Sequence, residues 1–432
     1  MTLSTLKTSA NPVPVETASC GCDDPILAAK LIPVNVALMR GLELAIAVTK
    51  TEIVPLERAL GRVLAEPATT PQPLPSFDNS AMDGYAVRLD DLAGEGPWQL
   101  PVFGRIAAGD AGDLVAPKGQ VLRILTGAPV PADIDAVIMQ EHVTRAHDTI
   151  TITKRPALGL NIRRLGEDLA EGAEILPAGV EIGSREACAL AAIGAGEVAV
   201  KRKLKVAIFC TGSELVAPGE ALAPGQIWNS NRFMLLSALD KPWIELRDLG
   251  TVPDQPDDLI ATLKDAAEGA DMVISTGGVS VGDEDHMPRL FREAGGNIHA
   301  MRVAMKPGKP VAIGKMNDAL YVGLPGNPVS AFVTWHIIGA QILAKRAGLS
   351  KTEVTTDIVS AGFDVTRRPG RKEYRPAQIV GRDASGIEIV EVLSPSYSAR
   401  VALLSAADGL VLIPAEATEI SRGEALDFIR FS

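Results

Sequence analysis

The stretch Met272-Val-Ile-Ser-Thr-Gly-Gly-Val-Ser-Val-Gly-Asp-Glu-Asp285 decides the fold class of this 432-residue chain. It starts as a short apolar run, typical of a fully buried strand, and continues into a glycine-rich loop that ends in three acids. A second strand of the same type lies at 206–209, and helical patterns follow at 233–239, 257–268 and from Pro328. This alternation predicts a three-layer α/β/α domain with a mostly parallel sheet.

The regions around this domain have different patterns and predict a multidomain α/β plus β protein. Two amphipathic helices are predicted near 36–45 and 56–64, and short apolar runs between turns predict strands from about 70 to 160 and again after 353. The predicted units are a flexible lead at 1–30, a discontinuous linker domain at 31–70 and 161–202, a β-rich insertion module at 71–160, the α/β domain at 203–352, and a C-terminal β-barrel-like domain at 353–432.

The composition narrows the function classes. A chain that is 47% apolar and 22% charged is typical of a folded globular protein. The net charge of −11 argues against a nucleic-acid scaffold but leaves room for a local basic pocket. Four cysteines are too few for a disulfide framework, and Cys20 and Cys22 are read as tail thiols in a reducing compartment. With neither a signal sequence nor a membrane-length apolar run, we expect a cytoplasmic location, with no nucleic-acid or membrane partner.

The first candidate loop is Thr211-Gly-Ser-Glu214, which follows the predicted strand ending near Cys210. Ligands bind at the carboxyl ends of strands in open parallel sheets, so the Glu214 carboxylate is placed to face a cleft. A simple turn or helix cap is the alternative interpretation.

The second candidate loop is the glycine-rich stretch that ends at Asp285. Gly277 and Gly278 let the backbone approach an anion and offer amide donors, and a helix starting near Asp285 or His286 would point its positive end at the same place. Hydroxyl donors and hard oxygen ligands for Mg²⁺ come from Ser275, Thr276, Ser280, Asp283, Glu284 and Asp285. A glycine turn beside solvated acids is the alternative.

The third candidate loop, Leu324-Pro-Gly-Asn-Pro-Val-Ser330, predicts a rigid anion-binding corner built from Pro325, Gly326 and Asn327. Pro328 at a helix start is also an ordinary structural feature.

Three cations lie between the second and third loops. Arg302, Lys306 and Lys309 flank a Pro-Gly turn with apolar neighbours, which predicts an oxyanion pocket. Solvated surface charge is the alternative.

Seven stretches, taken in this order, carry a family resemblance. They are FDNSAMDGYAVR (77–88), RILTGAPVPADIDAVIMQE (123–141), NIRRLGEDL (161–169), TGSEL (211–215), STGGVSVGDED (275–285), VAMKPGKP (303–310) and GLPGNPVSA (323–331). From about residue 31 to its end, the chain resembles the molybdopterin molybdenumtransferases, a family that includes MoeA and the E domain of gephyrin.

The resemblance implies an activity and a set of site residues. Such an enzyme takes molybdate and adenylylated molybdopterin as substrates, inserts the metal into the dithiolene and releases AMP, with Mg²⁺ as cofactor. The positions implied by the motifs are Asp83, Thr126, Asp168, Glu214, Asp254, Asp285, Arg302, Lys306, Arg375 and Ser398, with Glu214 and Asp285 as the metal ligands.

The resemblance also implies an elongated homodimer whose active cleft lies between the α/β domain of one subunit and the C-terminal domain of the other. Asp83 and Thr126 would come from the module before the α/β domain. Molybdopterin adenylyltransferase and molybdoenzyme maturation proteins are the further expected partners.

Three positions depart from the family pattern. Ser213 replaces an acid in the TGDEL form, Asn229 replaces the usual acid before Ser-Asn, and Arg302 stands where Lys is typical. Losing two acids would weaken or shift cation binding, whereas Arg302 keeps the positive charge and can grip an oxyanion in a bidentate way.

Two other functions stay open at this point. A molybdopterin adenylyltransferase carries a similar α/β domain, although the extra domains argue against it. A non-catalytic, gephyrin-like scaffold would require a lost active site, whereas the cationic and acidic loops are intact.

Overall fold

The computed structural model describes residues 31–279, 287–393 and 400–431. Residues 31–201, all of which the structure describes, contain two α-helices and twelve strands. They are α1 (Val34–Leu44), β1 (Thr51–Pro55), β2 (Ala68–Thr69), β3 (Asn79–Ser80), β4 (Gly84–Val87), β5 (Trp98–Ile106), β6 (Val121–Ile124), β7 (Ala136–Met139), β8 (Val143–Ala146), β9 (Thr149–Ile152), β10 (Ile162–Arg163), β11 (Glu174–Leu176), α2 (Ser184–Ala192) and β12 (Glu197–Lys201).

The predicted β-rich module is present as a six-stranded sheet with strand order β7-β4-β6-β5-β9-β8. Its strands β4, β6, β7 and β9 lie where alternating or continuous apolar runs predicted them. Tyr85 and Val87 pack on one face of this sheet, and Ala86 packs on the other. The module is therefore a sheet with apolar side chains on both faces.

The linker region is held by pairs of distant strands. β1 pairs antiparallel with β12, and β2 pairs antiparallel with β11. The segments before and after the β-rich module therefore lie side by side. Helix α1 packs against the α/β domain, where a methyl group added to Gly41 would lie 2.3 Å from Ile342 Cδ1. The domain boundaries stay predictions, but this contact places α1 against the α/β core.

The prediction of a second amphipathic helix over 56–64 is wrong. A single 3₁₀ turn forms at Leu56–Arg58. Gly61 then takes φ +70° and lies so close to Pro242 that an added methyl group would be 2.5 Å from its Cγ. A left-handed residue ends the helical path, and Val63 and Leu64 form bridges to other strands instead.

The described part of the α/β domain, residues 203–279 and 287–352, contains nine strands and five α-helices. They are β13 (Leu204–Thr211), β14 (Leu215–Val216), β15 (Ile227–Trp228), α3 (Ser230–Ala238), β16 (Ile244–Val252), α4 (Pro256–Ala267), β17 (Met272–Thr276), α5 (Met287–Glu293), β18 (Asn297–Met301), β19 (Met305–Lys306), β20 (Ala312–Met316), β21 (Ala319–Leu324), α6 (Pro328–Thr334), which a π turn (Trp335–Gly339) continues, and α7 (Ala340–Ala347).

Its main sheet has the order β16-β13-β17-β21-β20-β18, parallel from β16 to β21 and antiparallel at β20 and β18. Side chains alternate between two cores: Val206 and Ile208 pack with one set of helices, and Ala207 and Phe209 pack with the other. Because helices cover both faces, continuous apolar strands are required, and the predicted three-layer, mostly parallel α/β/α domain is confirmed.

The C-terminal domain closes on itself. Its elements are β22 (Asp357–Ala361), β23 (Val365–Thr366), β24 (Lys372–Arg382), β25 (Glu388–Val392), α8 (Val401–Ala406), β26 (Gly409–Ile413), β27 (Glu419–Ile420) and β28 (Ala425–Arg430). Five strands pair in the ring β24-β25-β22-β28-β26-β24, and the short β19 of the α/β domain adds to β24. The predicted barrel-like fold is confirmed. Among the helices in the described ranges, none has the length and apolarity to cross a membrane.

Candidate functional site

Three loops meet at the carboxyl edge of the main sheet. β13, β17 and β21 are neighbours that run parallel. Thr276 pairs with Cys210 on one side and with Leu324 on the other, and β13 ends one residue further on, at Thr211. The backbone amide of Gly277 donates a hydrogen bond to the carbonyl of Leu324 over 3.1 Å. The loops predicted from the sequence to carry chemistry therefore lie side by side, as expected for an open parallel sheet.

Glycine is required at the centre of this junction. Gly277 has φ +94°, and a methyl group there would lie 2.3 Å from the carbonyl oxygen of Thr211. Gly278 has φ +63°, and its methyl group would lie 2.5 Å from Met287 Cγ. Both the left-handed backbone and the close approach exclude a larger residue.

A cavity of about 350 Å³ opens between the three loops. One part of its wall is polar and the other part is aliphatic. The lining residues are Thr211, Gly212, Glu214, Leu215, Ile227, Asn231, Asp254, Thr276, Gly277, Gly278, Val279, Pro310, Pro325, Gly326, Asn327 and Pro328. A mixed wall of this kind suits a small ligand that carries both polar and apolar parts.

Two carboxylates belong to the polar wall. Glu214 and Asp254 are both exposed, and the Thr211 hydroxyl donates a hydrogen bond to Asp254 Oδ1. A methyl group on Gly212 would lie 2.7 Å from Glu214 Oε2, so the Glu214 side chain folds back over its own loop. In the described ranges no cluster of three or more His, Cys, Asp or Glu side chains forms a complete metal site.

The donor set at this wall fits Mg²⁺. This cation is held by one or two carboxylates together with water and substrate phosphates, rather than by a full cage of protein ligands. Glu214 and Asp254 provide two such carboxylates in one cavity.

Three predicted cations lie on the segment between β18 and β20, whose short strand β19 pairs with the barrel strand β24. Arg302 is half-buried with φ +55°, and the amide of Val303 donates to the Lys309 carbonyl over 2.8 Å, which closes a turn around Lys306. The Lys306 ammonium lies 3.6 Å from the carboxylate of Glu373 on the barrel strand β24. Arg375 is fully buried and donates from Nε to the same carboxylate over 2.8 Å. The predicted cations Lys306 and Arg375 are thus brought together through Glu373.

Asp83, Thr126 and Asp168 lie outside the cavity wall, and the cations Arg302, Lys306, Lys309 and Arg375 do not line it either. Asp83 Oδ1 accepts two hydrogen bonds from Thr126, from its amide and its hydroxyl, each 2.8 Å long. These bonds, led by the one from the backbone amide, hold the pKa of Asp83 below its ordinary value. Asp168 is exposed, and its backbone amide donates a hydrogen bond to the Leu74 carbonyl. Every residue lining the described cavity belongs to the α/β domain, so Asp83, Thr126 and Asp168 are separate from it within one chain.

Known sequence families match three successive parts of the chain. Residues 32–194 match the MoeA N-terminal region (domain I and II), 207–345 match a probable molybdopterin binding domain, and 359–431 match the MoeA C-terminal region (domain IV). A molybdopterin molybdenumtransferase from Haemophilus influenzae is 39% identical over 346 residues, covering 80% of this chain and 85% of that protein.

The chain belongs to the molybdopterin molybdenumtransferase family.

Further members support this family assignment. Molybdopterin molybdenumtransferase 2 from Mycobacterium tuberculosis is 35% identical over 381 residues, covering 86% of this chain and 93% of that protein. The crystal structure of a molybdopterin biosynthesis MoeA protein from Pyrococcus horikoshii OT3 superposes with a TM-score of 0.79 at 30% identity, covering 93% of this chain and all of that one. The family resemblance drawn from the seven motifs is confirmed, and it makes this chain an enzyme of molybdenum cofactor biosynthesis.

Ser275, predicted to bind substrate, lies behind the cavity. Its side chain is fully buried and shares a 2.7 Å hydrogen bond with the Tyr321 hydroxyl. Burial raises the pKa of Tyr321 well above its ordinary value. Ser275 is not among the residues lining the cavity, so it supports the glycine loop from below.

Asn231 is a lining residue that the sequence analysis missed. Its Nδ2 donates to the Gly326 carbonyl over 2.7 Å, which fixes the Pro-Gly-Asn corner against helix α3. The neighbouring Asn229, one of the family departures, is buried and caps α3 by accepting from the Arg232 amide. The only sequence signal was the Ser-Asn pair after Asn229, which reads equally well as a helix start.

Several predicted positions lie outside the described residues. They are Cys20, Cys22, Ser280, Asp283, Glu284, Asp285, His286 and Ser398. Their roles stay predictions.

Proposed function

We propose that this protein is the molybdenum insertase: it takes adenylylated molybdopterin and molybdate, places the metal in the dithiolene, and releases AMP. The observation that carries the proposal is the cavity at the ends of β13, β17 and β21, where a glycine cradle and two carboxylates meet. Its curated relatives named molybdopterin molybdenumtransferase, at 35–39% identity, support the assignment.

In this proposal the cations bind the anionic groups. Lys306 and Arg302 hold molybdate or a substrate phosphate by charge, and the buried Arg375 adds positive charge from behind Glu373. Arg302 contributes planar, bidentate donors, and Lys306 contributes a point charge. Lys309 lies on the same turn and adds to the positive field.

The carboxylates are proposed to bind the cation. Glu214, with Asp285, is proposed to hold Mg²⁺, and Asp254 lies in the same wall as Glu214. Once bound, the cation would neutralise charge on the pyrophosphate that links AMP to the pterin. The Gly277 and Gly278 backbone and the Pro325–Asn327 corner position that ligand. The protein therefore acts through positioning and electrostatic stabilisation, without a covalent intermediate.

The decisive assay measures AMP released from purified adenylylated molybdopterin, with and without molybdate. We expect release that depends on molybdate and Mg²⁺. Consumption of ATP together with unmodified molybdopterin would instead indicate an adenylyltransferase. Tight binding of the pterin with no turnover would indicate a non-catalytic scaffold.

Variants at the carboxylates test the metal assignment. Glu214→Gln and Asp285→Ala are each expected to lower AMP release by about a hundredfold or more while the protein still folds, since removing one stabilising group in a preorganised site costs this much. Asp240→Ala removes an exposed carboxylate at the far end of helix α3 and serves as the control. Normal turnover in the first two variants would eliminate these residues as metal ligands.

We further propose a homodimer with shared active sites, in which Asp83, Thr126 and Asp168 approach the site of the partner subunit. The support is that these three side chains lie away from the cavity of their own chain. The cytoplasm is the proposed location, with molybdopterin adenylyltransferase and molybdoenzyme maturation proteins as the proposed transient partners.

A further inference from the structure

A single buried carboxylate connects the barrel to the cationic turn. Glu373 lies at the start of β24 and is 3% exposed. Its Oε2 accepts from Arg375 Nε over 2.8 Å, and its Oε1 accepts from Arg367 Nε over 2.9 Å. Lys306 approaches Oε1 to 3.6 Å. One acid thus contacts three cations.

The backbone explains why these groups meet. β19 pairs parallel with β24 in a register that sets Lys306 opposite Glu373. Glu373 and Arg375 are two residues apart on one strand, so their side chains leave the same face. The strand pair is also the seam between the α/β domain and the barrel, which means that the carboxylate holds together side chains from two domains.

The electrostatics show that Glu373 stays ionised. Burial alone would raise the pKa of its carboxyl, but the positive charges of Arg375, Lys306 and Arg367 outweigh that effect and keep the pKa below its ordinary value. Arg367 also donates to the carbonyls of Pro414 and Ala417, each over 2.8 Å. Arg367 is therefore anchored to the barrel, and it contacts the same carboxylate oxygen of Glu373 as Lys306, whereas Arg375 contacts the other oxygen.

We infer that Glu373 is a positioning residue for anion binding: held by the buried Arg375 and by Arg367, it sets the orientation of Lys306 and thereby the affinity for the oxyanion substrate. This inference rests on the proposed function, in which Lys306 binds molybdate. The opposing view is that Glu373 merely compensates charge. In that case the negative charge of Glu373 only weakens anion binding, and removing this charge should strengthen the binding of molybdate.

The two views predict opposite signs for Glu373→Gln, which keeps the size of the side chain and removes its charge. If Glu373 positions Lys306, the KM for molybdate rises by about tenfold or more, since small misplacements of binding groups are costly, and kcat changes much less. If it only compensates charge, the KM falls. Glu373→Asp keeps the charge but shortens the reach, and it is expected to give an intermediate KM.

The matched control is Asp271→Asn. Asp271 is also a buried carboxylate that bridges two arginines, Arg202 and Arg346, but it lies at the opposite end of the main sheet. This variant is expected to unfold at a lower temperature with an unchanged KM for molybdate. If the KM for molybdate rose equally in Asp271→Asn and Glu373→Gln, both effects would come from a general loss of stability, and the inference would be overturned.

A double-mutant cycle with Lys306→Met tests whether Glu373 acts through Lys306. Because Lys306→Met leaves too little turnover for a KM, the cycle uses the molybdate dissociation constant from equilibrium dialysis. In the Lys306→Met background, Glu373→Gln should weaken molybdate binding much less than in the wild type, because the group it orients is gone. Independent and additive effects would contradict the inference. If Glu373→Gln does not fold, Glu373→Asp carries the same cycle.

Direct binding separates this inference from the proposed function. Equilibrium dialysis of each purified variant against molybdate, with the metal counted by mass spectrometry, needs no turnover. If the wild type binds molybdate but releases no AMP, the proposed function fails, and the dissociation constants still decide the role of Glu373. If wild type and Glu373→Gln bind equally, the inference is wrong whatever the turnover.

Discussion

At the scale of single residues, Asp83 provides a titration that can be followed. Its lowered pKa is caused first by the amide of Thr126 and then by the Thr126 hydroxyl. Thr126→Val removes the hydroxyl and keeps the amide, so the pKa of Asp83 should rise part of the way towards its ordinary value. Carboxyl-carbon NMR of aspartate-labelled protein measures it. An unchanged pKa in this variant would show that the hydroxyl contributes nothing.

Gly277 gives a second prediction at this scale. Gly277→Ala places a methyl group 2.3 Å from the Thr211 carbonyl at φ +94°, and it should cost about 2–4 kcal/mol of unfolding free energy from strain and displacement of the loop. Gly250→Ala is the matched control, because Gly250 has φ +74° with no atom within 4 Å of an added methyl group. It should cost about 1–2 kcal/mol. Urea unfolding compares the two, and equal losses would contradict a role for the close contact.

At the scale of elements, Asp271 joins the ends of β13 and β17 to helix α7. It is 5% exposed, pairs with Arg202 at 2.7 Å, and accepts from the Lys205 amide over 2.9 Å. Burial would raise its pKa, but the bonds from Arg202 and Lys205 outweigh burial and lower it. Asp271→Asn leaves the arginine without a charged partner and should cost about 3 kcal/mol at neutral pH.

The stability lost in Asp271→Asn depends on pH, and the direction of the pKa shift of Asp271 decides how. Because the folded pKa of Asp271 is lowered, its contribution is fully present above pH of about 4 and is lost as the pH falls through the folded value. The difference in unfolding free energy between wild type and Asp271→Asn should therefore shrink on acidification. Denaturant titrations at several pH values measure it, with Asp240→Asn as an exposed control. A constant difference down to pH of about 2 would show that the charge of Asp271 is not the cause.

The sequence predicted elements well wherever burial leaves a periodic mark. The strands at 206–209 and 272–275 were found because both faces of the sheet are covered, which requires continuous apolar runs. The predicted helix at 56–64 failed for a different reason. Its apolar spacing is helical, but the contact of Gly61 with Pro242, far along the chain, decides the backbone there. The spacing of apolar residues in a short segment cannot predict a contact with a residue so far along the chain.

At the scale of the whole molecule, the same limit applies to the site. The loops at Glu214, Gly277 and Pro325 could be placed together in advance, because parallel strands bring their carboxyl ends to one edge. Glu373 and Asn231 could not, since a buried acid among three cations depends on how the barrel strand meets the cationic turn. The sequence around Glu373 shows one acid among Arg371, Lys372 and Arg375, a pattern that is equally typical of a solvated strand.

The proposed shared active site gives the last prediction, which concerns two whole chains. Asp83→Asn and Lys306→Met should each be nearly inactive alone, since each lacks one part of every site. Unfolding and refolding an equal mixture gives about half mixed dimers, each with one intact and one doubly defective site, so about a quarter of wild-type AMP release should return. Sedimentation of the wild type must show a dimer. If each site is built from a single chain, the mixture stays as inactive as its components, because no subunit then contains both side chains.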